Sequence, residues 1–224
     1  MVDGCRGASC VELVARKAHP DAVRVCGRAF DETGDPKAGL AAARAHHALR
    51  HDDDAARLAE RLREGPLAAD AHQLLGQIHF AAERYDDARR DLDVALRAHR
   101  TAGDHASAYE DARLLAYTHW RRSAFRETLA LADIARTEAT AAGDGALEAK
   151  ALLFLGSVLQ AVGDGPAAQE VYARAARALP ATDVSGRAHL LFDRATLLDA
   201  TGQRSLSASL LDEARGLALQ AGNT

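Results

Sequence analysis

Residues that build β-sheet are scarce in this chain. Val and Ile together number 12 and Phe, Trp and Tyr together ten, against 52 Ala and 29 Leu in 224 residues. Strands draw on β-branched and aromatic side chains, whereas Ala and Leu lead the helix scale. The shortage excludes a sheet protein and predicts an all-α fold. Lys is nearly missing too, with 3 against 25 Arg; alongside the Ala, Gly and Asp, this points to a GC-rich bacterial genome. The net charge of −4 lacks the basic footprint of a nucleic-acid binder, so no nucleic-acid partner is expected. No apolar run reaches the roughly 18–20 residues of a membrane span, and no membrane partner is expected. The start, Met1-Val2-Asp3-Gly4-Cys5-Arg6, has no basic region followed by an apolar one, so no signal peptide is seen. A cytoplasmic location follows as the expectation.

Catalytic signatures are missing as well. The chain contains no HExxH, no GxSxG and no phosphate loop ending in GK[ST]. No enzyme activity and no cofactor are expected. The Cys are three, Cys5, Cys10 and Cys26, and their spacing fits no paired zinc-ligand pattern, even with His19 added. Cys10 and Cys26 read as small buried packing residues, with a disulfide or metal role as the alternative. Without a secretion signal, reduced thiols are favoured. The run His51-Asp52-Asp53-Asp54 could attract a cation, but acidic residues also favour the helix start that falls there. His46 and His47 point about 100° apart on a helix and share no face. No metal site is expected.

What the chain has instead is an internal period. Cys10, Leu13, Ala22, Cys26 and Ala29 recur 33 residues on as Ala43, His46, Ala55, Ala59 and Leu62. Another step of 33 brings Gly76, His79, Ala88, Leu92 and Ala95. A step of 40 brings Ala116, His119, Thr128, Ala132 and Ala135, and a second step of 40 brings Gly156, Leu159, Ala168, Tyr172 and Ala175. A last step of 39 brings Ala195, Leu198, Ser207, Leu211 and Ala214. Six copies in one register predict six helix pairs, A then B, with small residues where the helices cross and Leu75, Leu115, Leu155, Leu92, Tyr172 and Leu211 filling between them. Gly-Asp and Gly-Pro turns separate the helices, as in Thr33-Gly34-Asp35-Pro36 and Val162-Gly163-Asp164-Gly165-Pro166. The predicted helices are 8–17, 20–33, 37–50, 52–64, 68–82, 85–101, 105–121, 124–142, 145–162, 166–179, 186–200 and 204–221.

The segment Ala71–Arg100, with Leu75-Gly76-x-x-His79, Tyr85-Asp-Asp-Ala88, Leu92 and Ala95, resembles a tetratricopeptide repeat. Ala149–Pro180 does so with its terminal Pro as well. The long step resembles repeats of bacterial signalling proteins. No copy carries the early Trp of the motif, and Arg194 stands at an apolar position of the sixth copy. The resemblance implies a single α-solenoid domain over 1–224, a right-handed superhelix of about twelve antiparallel helices. Its repeats would span approximately 3–35, 36–66, 67–104, 105–144, 145–181 and 185–222. His79 and His119, where the motif has an aromatic, are expected to pack.

The resemblance also implies a concave groove lined by the A helices. Carried over, the groove positions are Lys37, Leu40, Arg44 and His47, then Gln73, Gln77 and Phe80, then Arg113, Tyr117, Trp120 and Arg121. Lys150, Leu153, Ser157 and Gln160 follow, and then His189, Phe192, Thr196 and Asp199. Arg44, Gln73, Gln77, Phe80, Arg113, Tyr117, Trp120, Arg121, Lys150 and Gln160 are the candidate partner contacts. The groove holds the only Trp, two of the three Lys and a single carboxylate, Asp199. Amides suit an extended backbone, Arg and Lys suit carboxylates, and Trp makes an anchor. The expected function is a non-catalytic interaction module binding a peptide or partner segment, acidic or C-terminal. The alternative is the sensor array of a larger bacterial transcription regulator or repeat-activated protease. The stripe Leu206, Leu210, Leu211, Ala214, Leu217 and Ala218 on the last helix is expected to meet a second copy or a further domain.

Overall fold

A computed structural model of the chain describes residues 6–222, so Cys5 lies outside the described residues. Twelve α-helices and no strand occur among the described residues. They are α1 (Arg6–Ala15), α2 (His19–Thr33), α3 (Pro36–Ala48), α4 (Asp52–Glu60), α5 (Ala68–Ala81) and α6 (Tyr85–Ala102). After them come α7 (His105–Trp120), α8 (Phe125–Ala141), α9 (Gly145–Ala161), α10 (Gly165–Ala178), α11 (Val184–Ala200) and α12 (Arg204–Gln220). The helices form two compact units, Met1–Gly103 and Asp104–Thr224.

Each helix pair is made the same way. The backbone N–H groups of Ala18, His51, Arg84, Ala124, Asp164 and Gln203 donate to the carbonyls of Leu13, His46, His79, His119, Leu159 and Leu198 at 2.9–3.0 Å. The residue before each donor has a positive φ: Lys17, Arg50, Glu83, Ser123, Gly163 and Gly202. This left-handed residue followed by a long return bond is the Schellman ending of helix A, and it aims helix B back along it. Asp35, Asp104, Asp144 and Asp183 then cap the next A helix by accepting from its first-turn N–H groups. The sequence spacing placed most helix ends within two residues. Helix α4 ends at Glu60, four residues short of the expected end at Glu64: Leu62 turns into the core, 5% exposed, and Pro66 bars helix at the preceding Gly65.

The cores follow the register. Within each pair the crossing residues stand 16 apart: Cys10/Cys26, Ala43/Ala59, Gly76/Leu92, Ala116/Ala132, Gly156/Tyr172 and Ala195/Leu211. Gly occurs on helix A where the helix B partner is both large and fully buried. A Cβ on Gly76 would lie 2.6 Å from Leu92 Cγ, and one on Gly156 2.7 Å from Tyr172 Cδ1. Tyr172 and Leu92 are fully buried, whereas Leu211, on the last described helix, is 40% exposed. In the first repeat the crossing pair is covalent. Cys10 and Cys26 are buried at the packing positions expected of them, but they are joined as a disulfide with Cα atoms 5.6 Å apart.

Candidate functional site

Within the second unit α7 touches α9 and α9 touches α11, so the A helices lie side by side and present one face. Tyr117 and Trp120, one turn apart on α7, stand at an aromatic corner of it. The Tyr117 ring lies 4.9 Å from that of Phe154 on α9, and the Trp120 ring meets Phe125 of α8 edge-on at 4.9 Å. Tyr117, Trp120, Phe154, Val158, Ala161, Ser157 and Thr128 line a small cleft of about 80 Å³. Its walls are nearly all apolar, which suits an apolar side chain of a partner. Phe154 and Val158 were not singled out in the sequence, because their type and spacing match core positions.

The charged positions differ from the sequence expectation. Arg113 donates twice to Glu110, at 2.6 and 3.0 Å, and its guanidinium stands 5.8 Å over the Tyr117 ring. Burial opposes the Arg113 charge, and the Glu110 carboxylate outweighs it, holding the pKa above the ordinary guanidinium value. In the first unit Arg44 pairs with Asp70 at 2.6 Å, in a cleft of about 410 Å³ that Lys37, Leu40 and Leu67 also line. Each unit is thus less basic at these positions than the expected list: Glu110, one turn before Arg113, and, in the first unit, Asp70, on the A helix after that of Arg44, bring carboxylates that the list omitted. Lys150 is exposed, and Arg121 caps α7. Gln73, Gln77 and Phe80 lie half-buried on α5, with the Phe80 ring 5.8 Å from Tyr85.

Gln160 sits inside a polar network instead of standing out from the face. Its amide N–H donates to Thr196 Oγ1 at 2.8 Å, and its carbonyl accepts from the Tyr172 hydroxyl at 3.0 Å, tying α9 to α10 and α11. Next to it the Ser157 hydroxyl donates to Asp193 at 2.9 Å, and His189 Nε2 lies 3.6 Å from the same carboxylate. Asp193 is 9% exposed, and burial raises its pKa above the ordinary carboxylate value, while His189, Ser157 and Tyr172 oppose the rise. A raised folded-state pKa means that the native state holds its proton longer than the unfolded chain does. Stability contributed by that proton is present below the unfolded pKa and lost as pH climbs through the folded one. Asp193→Asn is therefore expected to be more stable than wild type at neutral pH and to flatten this part of the decline. Parallel urea titrations from acid to neutral pH check it; an unchanged pH profile would rule the assignment out.

A second buried carboxylate, Asp91 of α6, escaped the sequence reading. It stands 2.8 Å from His72 Nδ1, 3.0 Å from His79 Nδ1 and 3.3 Å from Arg63 Nη2. His79 thus packs as expected, but against a charge. The Asp91 position holds Leu58, Leu131, Val171 and Leu210 in other repeats, so the polar core belongs to the third repeat in particular.

No family model matches the chain, and no curated protein matches it. Solved structures do. BtubC (BKLC) from P. vanneervenii is similar at 16% identity and a TM-score of 0.71, over 92% of this chain and 91% of that one. YrrB, described as a TPR protein with an unusual peptide-binding site, is similar at 18% identity and a TM-score of 0.61, over 90% and 100%. The fold is that of the tetratricopeptide-repeat proteins. NprR, solved with its cognate peptide NprX, shares this repeat architecture at 13% identity and a TM-score of 0.63, over 95% of this chain and 66% of that one. No described helix of the tetratricopeptide array is long and apolar enough to cross a membrane.

Proposed function

We propose that the chain is a non-catalytic protein-interaction module whose A-helix face takes a peptide or partner segment. The observation carrying this reading is the apolar cleft between Tyr117, Trp120, Phe154 and Val158, on a face otherwise rich in polar and charged side chains. Such a cleft seats one apolar side chain, and the polar residues around it hold the backbone. The likeness to YrrB and to peptide-bound NprR supports the same use. An acidic or C-terminal segment remains the partner proposed, with Lys150 and Arg121 as its charged contacts. The six repeats are proposed to work as one array over 1–224, in the cytoplasm. Thiol titration of protein taken from its host tests that location: a reducing compartment keeps most cysteine pairs as thiols, so an oxidised Cys10–Cys26 pair would argue against it.

Wild-type and Trp120→Ala proteins used as bait in host extract, followed by calorimetry with the captured segment, test the reading. Trp120→Ala is expected to weaken binding by roughly 30-fold, the ~2 kcal/mol of a central aromatic anchor. Equal capture by both baits would overturn it.

A second reading is favoured by the similarity to NprR, a longer chain. In it the array is the sensor part of a bacterial signalling protein. Leu206 and Leu211 of α12 are 49% and 40% exposed on different sides of the helix, and a second copy or a further domain would cover one of these sides. Light scattering that finds only monomer, together with normal folding of Leu211→Glu, would argue against a second copy there.

A further inference from the structure

The turn between α3 and α4, apart from the partner-binding face, gathers three metal-ligating side chains. His46 lies in the last turn of α3, His51 immediately precedes α4, and Asp54 lies in the first turn of α4. Their ligating atoms all fall within 4.8 Å of one another. His46 Nδ1 is 3.9 Å from Asp54 Oδ2, beyond hydrogen-bond reach, and the His46 and His51 rings are 5.8 Å apart. The His46 Nδ1 atom is buried and has no hydrogen-bond partner. Buried polar atoms are normally satisfied, so this one asks for an explanation.

The surroundings fit a cation held by lone pairs. Arg57 binds the other oxygen of Asp54, leaving Oδ2 turned to the histidines. His47 points elsewhere and pairs with Asp52 at 2.7 Å.

The repeat register shows that this is particular to the second repeat. The His46 position holds Leu13, His79, His119, Leu159 and Leu198 in the other copies. The His51 position holds Ala18, Arg84, Ala124, Asp164 and Gln203, and the Asp54 position Asp21, Asp87, Glu127, Ala167 and Leu206. Only the second copy has a ligating residue at all three. The turn geometry is shared by all six copies, so the side chains alone make the difference.

We propose that His46, His51 and Asp54 form a site for one divalent ion of the zinc class, which ties helix α3 to helix α4. Two imidazoles and one carboxylate suit Zn²⁺, Co²⁺ or Ni²⁺ better than Mg²⁺ or Ca²⁺, which prefer all-oxygen sets. Bonds of about 2.0–2.2 Å place tetrahedral ligand atoms about 3.3 Å apart. The exposed His51 ring supplies the closing movement, and the fourth position takes water.

Chelator-treated protein is titrated with ZnCl₂ by calorimetry and with CoCl₂ by visible absorption, at neutral pH. One equivalent is expected to bind, with the ligand-field bands of a low-symmetry Co²⁺ site. His51→Ala and Asp54→Asn, both outside the core, are each expected to weaken binding by about 100-fold or more, at least what loss of an outer-shell partner costs. Circular dichroism confirms that the variants remain helical. Absence of stoichiometric binding into the millimolar range would overturn the proposal. So would binding that survives either substitution unchanged, since the ion would then belong to other side chains.

Discussion

Gly156→Ala is expected to destabilise the second unit by about 2 kcal/mol, although Ala is the better helix former. Overpacking a well-filled core costs up to about 3 kcal/mol, and the gain in helix propensity returns only about 1 kcal/mol. The added Cβ would lie 2.7 Å from Tyr172 Cδ1, in a region where Tyr172 is fully buried. The ring cannot tilt away freely, because its hydroxyl donates to Gln160 at 3.0 Å. Urea unfolding at constant m-value measures the loss. Gly216→Ala on α12, where a Cβ meets nothing within 4 Å, serves as the contrast and is expected to stabilise by about 0.5–1 kcal/mol. Combining Gly156→Ala with Tyr172→Leu recreates the Ala/Leu crossing of the sixth repeat, and part of the loss should return as a favourable coupling of about 1–2 kcal/mol. A Gly156→Ala protein as stable as wild type would mean that the crossing has slack.

Reduction of the Cys10–Cys26 disulfide is expected to cost about 3 kcal/mol, the loop-closure value for a ring of about 15 residues. The bond joins α1 to α2 at their crossing, so the loss should fall on the first repeat. In a repeat array each copy is stabilised mainly by its neighbours, and among the described residues α1 and α2 pack on α3. Hydrogen exchange with and without reductant locates the effect: amides of α1 and α2 should lose protection, and those of α5 and α6 should not. Cys26→Ala, which reproduces the Ala59 of the next repeat, should behave like the reduced protein. Equal exchange under both conditions would show that packing alone holds the two helices.

The sequence by itself determined the helices and their pairing. Period and small-residue spacing are properties of the chain: two positions 16 apart, with a left-handed turn between them, must meet when both helices form. For this reason Gly76, Gly156, Cys10 and Cys26 were legible as crossing residues. The pattern of polar residues on the A helices likewise put Tyr117 and Trp120 on one face. What those side chains touch was decided by tertiary structure. Phe154 joins Tyr117 only because α9 packs beside α7. Gln160 is spent on Tyr172 and Thr196, and Arg113 on Glu110, because satisfying a buried or crowded polar group within the fold outweighs leaving it for a partner. Asp91 and Asp193 were hidden for the same reason, and of the His46–His51–Asp54 turn only the His51–Asp54 run stood out as able to attract a cation. Each depends on side chains from different helices or turns converging in space, and a one-dimensional register records which helix face a residue occupies but not which charge lies opposite it.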